Sequence, residues 1–174
     1  MTTQTQEIAT AAVAGPNLSG KYLTFALGEE SYAVDVRKVR EIIRLTNITI
    51  VPQMPAFIRG VINLRGKIIP VIDLRVRFGL PHAATTDKTC IVVVQIQTGA
   101  NLRRETGLIV DNVEEVLNLA ATDIEETPDF GSQVDTEYLL GMAKIKGVVK
   151  MLLDLDRVLG SDEAQALGKV AATN

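Results

Sequence analysis

Cysteine and histidine occur once each in this chain of 174 residues, tryptophan is absent, and aromatic residues reach only 4%. The single Cys90 excludes an intrachain disulfide and fits a reducing compartment. With one histidine, His82, in a loop-like stretch beside Pro81, neither a His/Cys zinc set nor a neighbouring Cys-His pair can be assembled. Long apolar runs are also missing: Cys90–Val94 and Met151–Leu153 fall far short of the roughly 20 residues that cross a bilayer as a helix. Met1–Gly15 has no basic start and no solid apolar block, so residues 1–20 are expected to form a disordered tail rather than a secretion signal. The expected location is the cytoplasm. The net charge of −3 gives no overall basic excess of the kind a nucleic-acid binder carries.

What is present is an ordinary globular balance, 47% hydrophobic and 22% charged, in a chain long enough to bury a core without staples. Charge is segregated along it. Asp35–Arg77 carries nine Lys/Arg against three Asp/Glu, whereas Glu105–Glu137 carries ten acids and no base. Such segments either neutralise each other within the fold or present opposite poles suited to ordered docking.

Periodicity favours strands. Leu23, Phe25 and Leu27 alternate with polar or small neighbours, Gly28-Glu29-Glu30 turns the chain, and Tyr32, Val34 and Val36 continue a second strand, so the pair reads as a hairpin. Asp35 is placed to cap a short helix with Val36, Val39 and Ile43 on one stripe and with Arg37 and Glu41 within pairing distance. Pro52 and Pro55 forbid a helix beyond Val51. Val61–Leu64 and Ile68–Ile72 form strands about an Arg65-Gly66 turn, with Pro70 suggesting an edge or a bulge. Asp73 caps a short helix carrying Leu74 and Phe78 that ends at Gly79. In the second half, Thr89–Ile96 and Thr106–Val110 read as strands about a Gly99-Ala100-Asn101 turn. Asp111-Asn112-Val113-Glu114 has capping-box spacing ahead of a helical stripe of Val113, Val116 and Leu117.

One unit recurs. Gly60, Gly66, Asp73, Leu74 and Gly79 reappear as Gly141, Gly147, Asp154, Leu155 and Gly160, each displaced by 81 positions. Leu64 then corresponds to Ile145, Val71-Ile72 to Leu152-Leu153, and Phe78 to Leu159. Shared turn and cap positions in one ungapped window indicate a duplicated hairpin plus short helix, and hence two similar β subdomains.

No convergent reactive set accompanies this framework. Cys90 lies in Cys-Ile-Val-Val-Val and reads as a small core thiol. Gly60–Lys67 superficially resembles a phosphate loop, but five residues separate its glycines and Ile68 stands where Ser or Thr would hold magnesium. Asp154-Leu155-Asp156 lacks the further oxygens of a calcium loop, and Asp154 reads as a helix cap like Asp73. Glu114-Glu115 and Glu125-Glu126 read as a solvated acidic face.

The block Phe25-Ala26-Leu27-Gly28-Glu29-Glu30-Ser31-Tyr32-Ala33-Val34-Asp35-Val36, followed by Val39-Arg40-Glu41-Ile42 and by Val51-Pro52 through Asp73-Leu74-Arg75, resembles the CheW family of chemotaxis coupling proteins. The likeness extends over Lys21–Gly160, more loosely in the second half through Val110-Asp111, Val113, Val116-Leu117 and Pro128-Asp129-Phe130. The resemblance implies an all-β fold with a few short helices, built as two SH3-like β-barrel subdomains sharing a hydrophobic core over residues 21–160. A C-terminal tail with room for a short helix follows at 161–174. It implies a non-enzymatic adaptor without a cofactor or metal. Its partners would be the cytoplasmic tip of transmembrane chemoreceptors and the regulatory domain of the histidine kinase CheA, with ring assembly with CheA or itself open. With no kinase or receiver segment in view, a stand-alone coupling protein is expected.

Carried over by position, Val39, Glu41, Gly60 and Arg65 fall on motif positions associated with partner coupling. Glu41 and Arg65 either bridge the short helix to the hairpin turn or offer charge to a partner. Gly60 and Val39 equally suit a backbone bend and core packing. Val113 and Val116 resemble an apolar patch used against receptors, with core packing as the other reading. Phe130 resembles a contact toward CheA or pins its loop. A module of this fold serving a non-motility pathway, and more remotely a carboxylate- or metal-dependent enzyme, are the alternatives.

Overall fold

The computed structural model describes residues 18–81, 83–97, 103–128 and 138–159. The expected tails, His82, the Gly99 turn, Phe130 and Gly160 lie outside the described residues, apart from Leu18–Gly20. Among the described residues eleven strands run in chain order: β1 (Gly20–Leu27), β2 (Glu30–Asp35), β3 (Val39–Arg44), β4 (Ile58–Leu64), β5 (Lys67–Asp73), β6 (Cys90–Gln97), β7 (Arg103–Val110), β8 (Asn112–Leu119), β9 (Ile124–Glu125), β10 (Leu139–Ile145) and β11 (Val148–Leu153). Two one-turn helices, α1 (Leu74–Arg77) and α2 (Leu155–Val158), follow β5 and β11. The expectation of a mostly β chain in two SH3-like units is met.

The strands form a six-stranded sheet, β8-β1-β2-β11-β10-β9, and a five-stranded sheet, β3-β6-β7-β5-β4. Each sheet therefore combines strands from both halves of the chain. The first hairpin is completed by β8–β11, while β3–β5 are completed by the hairpin β6–β7. The 81-residue repeat is structural as well. In both copies a glycine follows a one-residue register shift, at Gly60 and at Gly141. Both hairpins turn through residues with positive φ, Arg65-Gly66 and Lys146-Gly147. Both then end in an aspartate cap, Asp73 and Asp154. Even the tie that closes each unit is repeated: Asp73 N–H donates to the Phe57 carbonyl and Asp154 N–H to the Tyr138 carbonyl, each at 2.8 Å.

Three apolar clusters explain the hydrophobic pattern. Ile62, Ile69, Val71, Ile91, Val93 and Ile109 fill the five-stranded unit, and Tyr22, Ala33, Leu119, Ala143 and Leu152 fill the six-stranded one. The largest cluster draws on both sheets, with Leu23, Phe25 and Leu27 from one and Val92, Val94, Ile96 and Leu108 from the other. Along β6 odd and even residues thus enter different cores. That is why Cys90–Val94 reads as a continuous apolar run: a strand buried on both faces has no polar side to alternate with. Rings of Phe25, Tyr32, Phe78 and Tyr138 succeed one another across the shared core with centroids 6.0, 5.6 and 6.1 Å apart.

Two helix expectations are overturned. After Asp35, whose side chain accepts from Arg37 N–H, only a 3-10 turn (Val36–Lys38) forms, and Val39–Arg44 is strand β3. Arg37 consequently pairs with Asp35 rather than Glu41. Asn112–Leu119 is likewise strand β8, not a capped helix. Both strands carry a β-bulge. In β8 the two residues Glu114 and Glu115 stand opposite Thr24 alone, between the pairs Leu23↔Val116 and Phe25↔Val113. In β3 Arg40 is the extra residue between Val39↔Val94 and Glu41↔Val93. A bulge shifts the two-residue alternation by one, so residues three apart come to one face and counterfeit a helical stripe. Pro70 is not on an edge strand: β5 lies between β7 and β4, and Pro70 sits just before pairing with β7 begins at Val71. The bulge lies in β4 at Arg59, opposite the Val71–Ile72 step, while Pro70 pairs in register with Val61.

Where the chain passes from β7 in one sheet to β8 in the other, Asp111 takes Arg75 in a two-pronged ion pair at 2.8 and 2.6 Å. Its carboxylate also accepts from Gly28 N–H at 2.7 Å, and its own N–H donates to the Ala26 carbonyl. Arg75 reaches the Pro81 carbonyl as well. This pair and Lys67–Glu105 join the basic segment to the acidic one, so part of the charge asymmetry is neutralised internally. The Arg75 hydrogen bond, outweighing the opposing effect of burial, holds the Asp111 carboxyl below its ordinary range. A depressed folded-state pKa adds stability that is complete above the unfolded value near pH 4 and is lost as pH falls through the folded value. Asp111→Asn is expected to cost about 1–3 kcal/mol at neutral pH. It should also flatten the acid limb of the stability curve below about pH 4, as checked by thermal melts across pH.

Candidate functional site

The residues singled out by sequence separate into two groups on the two sheets. Val39 and Glu41 lie on β3, Gly60 on β4, and Arg65 in the β4–β5 turn, all belonging to the five-stranded sheet. Val113 and Val116 lie on β8 of the six-stranded sheet. β3 and β8 each end their sheet and pair on one side only. Phe130 is outside the described residues.

Of the first group, Glu41 and Arg65 meet. Both terminal guanidinium nitrogens of Arg65 donate to the carboxylate, at 2.5 and 2.7 Å, tying β3 to the hairpin turn rather than a helix to it. Glu41 faces the same side as Val93 and Ile43 at the rim of the five-stranded unit, with its side chain 25% exposed, while that of Arg65 is 73% exposed. The Arg65 hydrogen bond holds the Glu41 carboxyl below its usual range. Arg65 adopts φ 53°, the left-handed geometry of a tight hairpin turn, and the Asn63 side chain accepts from Gly66 N–H. Val39 is partly buried against the shared core. Gly60 has φ 145°, and a Cβ there would stand 2.0 Å from the Thr49 carbonyl oxygen, the atom that accepts from Val61 N–H.

The second group is shaped by its bulge. Val113 pairs with Phe25 and Val116 with Leu23, so both valines face the side of the shared core. Val113 packs partly against it, whereas Val116 is 51% exposed at its rim. The same arrangement recurs on β3. Val39-Arg40-Glu41-Ile42-Ile43-Arg44-Leu45 superposes by register on Val113-Glu114-Glu115-Val116-Leu117-Asn118-Leu119, with Ile43 and Leu45 packing into one unit and Leu117 and Leu119 into the other. Ile42, 45% exposed, is thus the counterpart of Val116. Sequence reasoning passed over Ile42 because a helical stripe turned it away; the shared V-x-E-[IV] string at both positions is the signal that finds it.

Other candidates resolve as local structure. Asp154 caps α2, accepting from Asp156 and Arg157 N–H. Cys90 packs partly against the shared core, where burial raises its thiol pKa. Gly60–Lys67 is strand and turn. Glu114 and Glu115 are exposed, as expected, and the Glu114 carboxylate is held by Ser31 and Lys150. Among the described residues no three His, Cys, Asp or Glu side chains are grouped to hold a metal, and no helix is long and apolar enough to cross a membrane.

Residues 21–163 match the model of the CheW-like domain. The chain belongs to the CheW family. It is 35% identical to the chemotaxis protein CheW of Klebsiella aerogenes over 93% of this chain and 95% of that protein. To the chemotaxis protein CheW of Bacillus subtilis it is 33% identical, over 84% and 90% respectively. Protein FrzA of Myxococcus xanthus is 27% identical over 86% of this chain. Among solved structures it is similar to the scaffolding protein TtCheW of Thermoanaerobacter tengcongensis, with a TM-score of 0.73 and 36% identity, covering 84% of this chain and 96% of that one. The chain is a chemotaxis scaffold of the CheW family, and its exposed β3 and β8 rims are candidate contact surfaces on that scaffold.

Gly60→Ala separates packing from contact. With the Cβ driven against the Thr49 backbone, it is expected to lower stability by at least about 2 kcal/mol and to open the Thr49–Val61 bridge, as read by chemical denaturation and amide exchange. A native melting temperature would assign Gly60 to a contact surface instead.

Proposed function

We propose that this chain couples the cytoplasmic tip of transmembrane chemoreceptors to the regulatory domain of the histidine kinase CheA, by non-covalent docking within signalling arrays. The observation that carries this reading is the separation of the described candidate residues onto two different sheets, with Val39 and Glu41 on edge strand β3 of one and Val113 and Val116 on edge strand β8 of the other. A molecule that only holds others together needs two faces accessible at once, and linked weak contacts gain strength through effective concentration. Each edge offers an apolar pair, Val39/Ile42 or Val113/Val116, beside charge of a different kind: the exposed Arg65 near one, Glu115 near the other. Opposite charge on related shapes lets two partners be told apart.

In this reading Val113 and Val116 meet the receptor hairpin, Phe130 contributes toward CheA, and Val39, Glu41, Gly60 and Arg65 belong to the coupling surface of the five-stranded unit. The domain occupies residues 21–160, flanked by tails. The protein works in the cytoplasm, recruited to membrane-bound receptor arrays, and docking requires neither cofactor nor turnover.

The test is to mix the chain with a receptor cytoplasmic helical hairpin and with the CheA regulatory domain. Binding to each at micromolar concentration is expected, and failure with both would overturn the reading. Arg65→Glu is expected to weaken coupling at least about tenfold, since a charge-assisted contact is reversed. It should leave the unfolding midpoint nearly unchanged, because the Glu41–Arg65 pair is solvent-exposed and exposed ion pairs contribute little to stability. A large fall in the unfolding midpoint would assign Arg65 to structure.

A further inference from the structure

The interiors of the two units are related position by position, and one departure stands out. Lys150 occupies the place that Ile69 fills in the first copy of the repeat, 81 positions earlier. Ile69 is buried among apolar neighbours. Lys150 is buried too, its side chain only 9% exposed, and it points into a polar cluster. Its ammonium donates to the Ser31 hydroxyl at 3.0 Å and stands 3.6 Å from the Glu114 carboxylate. The Ser31 hydroxyl in turn donates to that carboxylate. One residue further along β8, the fully buried Thr24 hydroxyl donates to the Glu115 carbonyl at 2.8 Å and accepts from Glu115 N–H at 3.1 Å.

These contacts converge on the two residues that form the β8 bulge. A bulge leaves one residue of the longer strand without a ladder partner, and the orphaned N–H and C=O must be satisfied by other means. Here Thr24 supplies both bonds to Glu115, while Lys150 and Ser31 fix the side chain of Glu114. The register beyond the bulge decides which residues of β8 face out. A slip of one position would send Val116 inward and Leu117 outward. In the five-stranded unit the position of Thr24 is taken by Val93, and Glu41, next to the extra residue Arg40, is held from outside by the exposed Arg65.

We propose that Lys150, Ser31 and Thr24 are positioning residues: an internal polar clamp that holds the β8 bulge and so sets the apolar face, Val113 with Val116, that this strand offers to a receptor helical hairpin. The proposal rests on the coupling function above and deepens it, since it names what fixes one of the two faces. The clamp acts through backbone geometry and touches no partner.

The experiment uses the full chain with three substitutions. Thr24→Val removes the hydroxyl at constant shape, Thr24→Ser restores it, and Lys150→Ile installs the residue that the other copy tolerates. Hydrogen exchange of the Glu114–Leu117 amides is followed beside affinities for a receptor hairpin and for the CheA regulatory domain. Thr24→Val and Lys150→Ile are expected to speed exchange across those amides and to weaken receptor binding about tenfold, the scale of an unsatisfied buried polar group. CheA binding should stay native, and Thr24→Ser should behave as the parent chain. Native exchange and native receptor affinity in both Thr24→Val and Lys150→Ile would overturn the proposal. So would equal losses for both partners, which mark general destabilisation. If the parent chain binds no receptor hairpin, the coupling function fails, while the exchange measurement still decides whether the clamp holds the bulge.

Discussion

Strand β8 lies against β1 in one sheet and β3 lies against β6 in the other, so each half of the chain supplies the strands that complete its counterpart. Each unit therefore has an interior made from both halves, and the largest apolar cluster lies between the sheets. A polar tie lies at the same crossing: Arg75 and Asp111 hold the β7–β8 passage against the Gly28 turn. Across it, Arg77 reaches the Val158 carbonyl at the matching helix of the other copy and packs over the Tyr138 ring. The two units cannot be separated without breaking strand pairs, which distinguishes this arrangement from two domains joined by a linker.

Much of this architecture was legible in the residues. The repeat of Gly60, Gly66, Asp73 and Leu74 at 81 positions appears because turns and caps impose residue types through backbone geometry, independent of what surrounds them. The two-period alternation of Leu23, Phe25 and Leu27 survives for the same reason. The errors fall on β3 and β8. In β8 the bulge advances the alternation by one, so that Val113 and Val116, three apart, share a face, whereas in β3 Val39 and Ile43 keep helical spacing in sequence but enter different cores. Asp35 and Asp111 reinforced the misreading, since an acid before an apolar stripe resembles a helix start; Asp111 instead joins three segments of chain. The exchange of hairpins between sheets leaves no local trace at all, because pairing partners such as Thr24 and Glu115 are 91 residues apart.

The candidate contact residues were found by resemblance more readily than by physics. Glu41 and Arg65 illustrate the point: the residues left a bridge and a partner contact equally open, and the fold shows the bridge, tying strand β3 rather than a helix to the hairpin turn. Exposed charge on one rim contrasts with inward-facing charge behind the other. The same bulge is braced from solvent in the five-stranded unit and from the interior in the six-stranded one, so two copies of one structural unit have diverged in how they hold a shared shape. Divergence of that kind keeps the backbone of both edges similar while their charge patterns separate.

The exchange of strands has a consequence for how the chain is made. Synthesis proceeds from the N-terminus, and the β1–β2 hairpin emerges first, yet its two flanking neighbours, β8 and β11, come from residues 112–119 and 148–153. For most of translation both flanks of this hairpin stay unpaired, with Phe25, Tyr32 and Val34 lacking the core they later enter. Pairing across such sequence distances is slow, and an unpaired strand edge is a template for other chains. Lys21 and the acidic pair Glu29-Glu30 border the hairpin at its start and turn, the kind of charge that strand edges carry against edge-to-edge pairing.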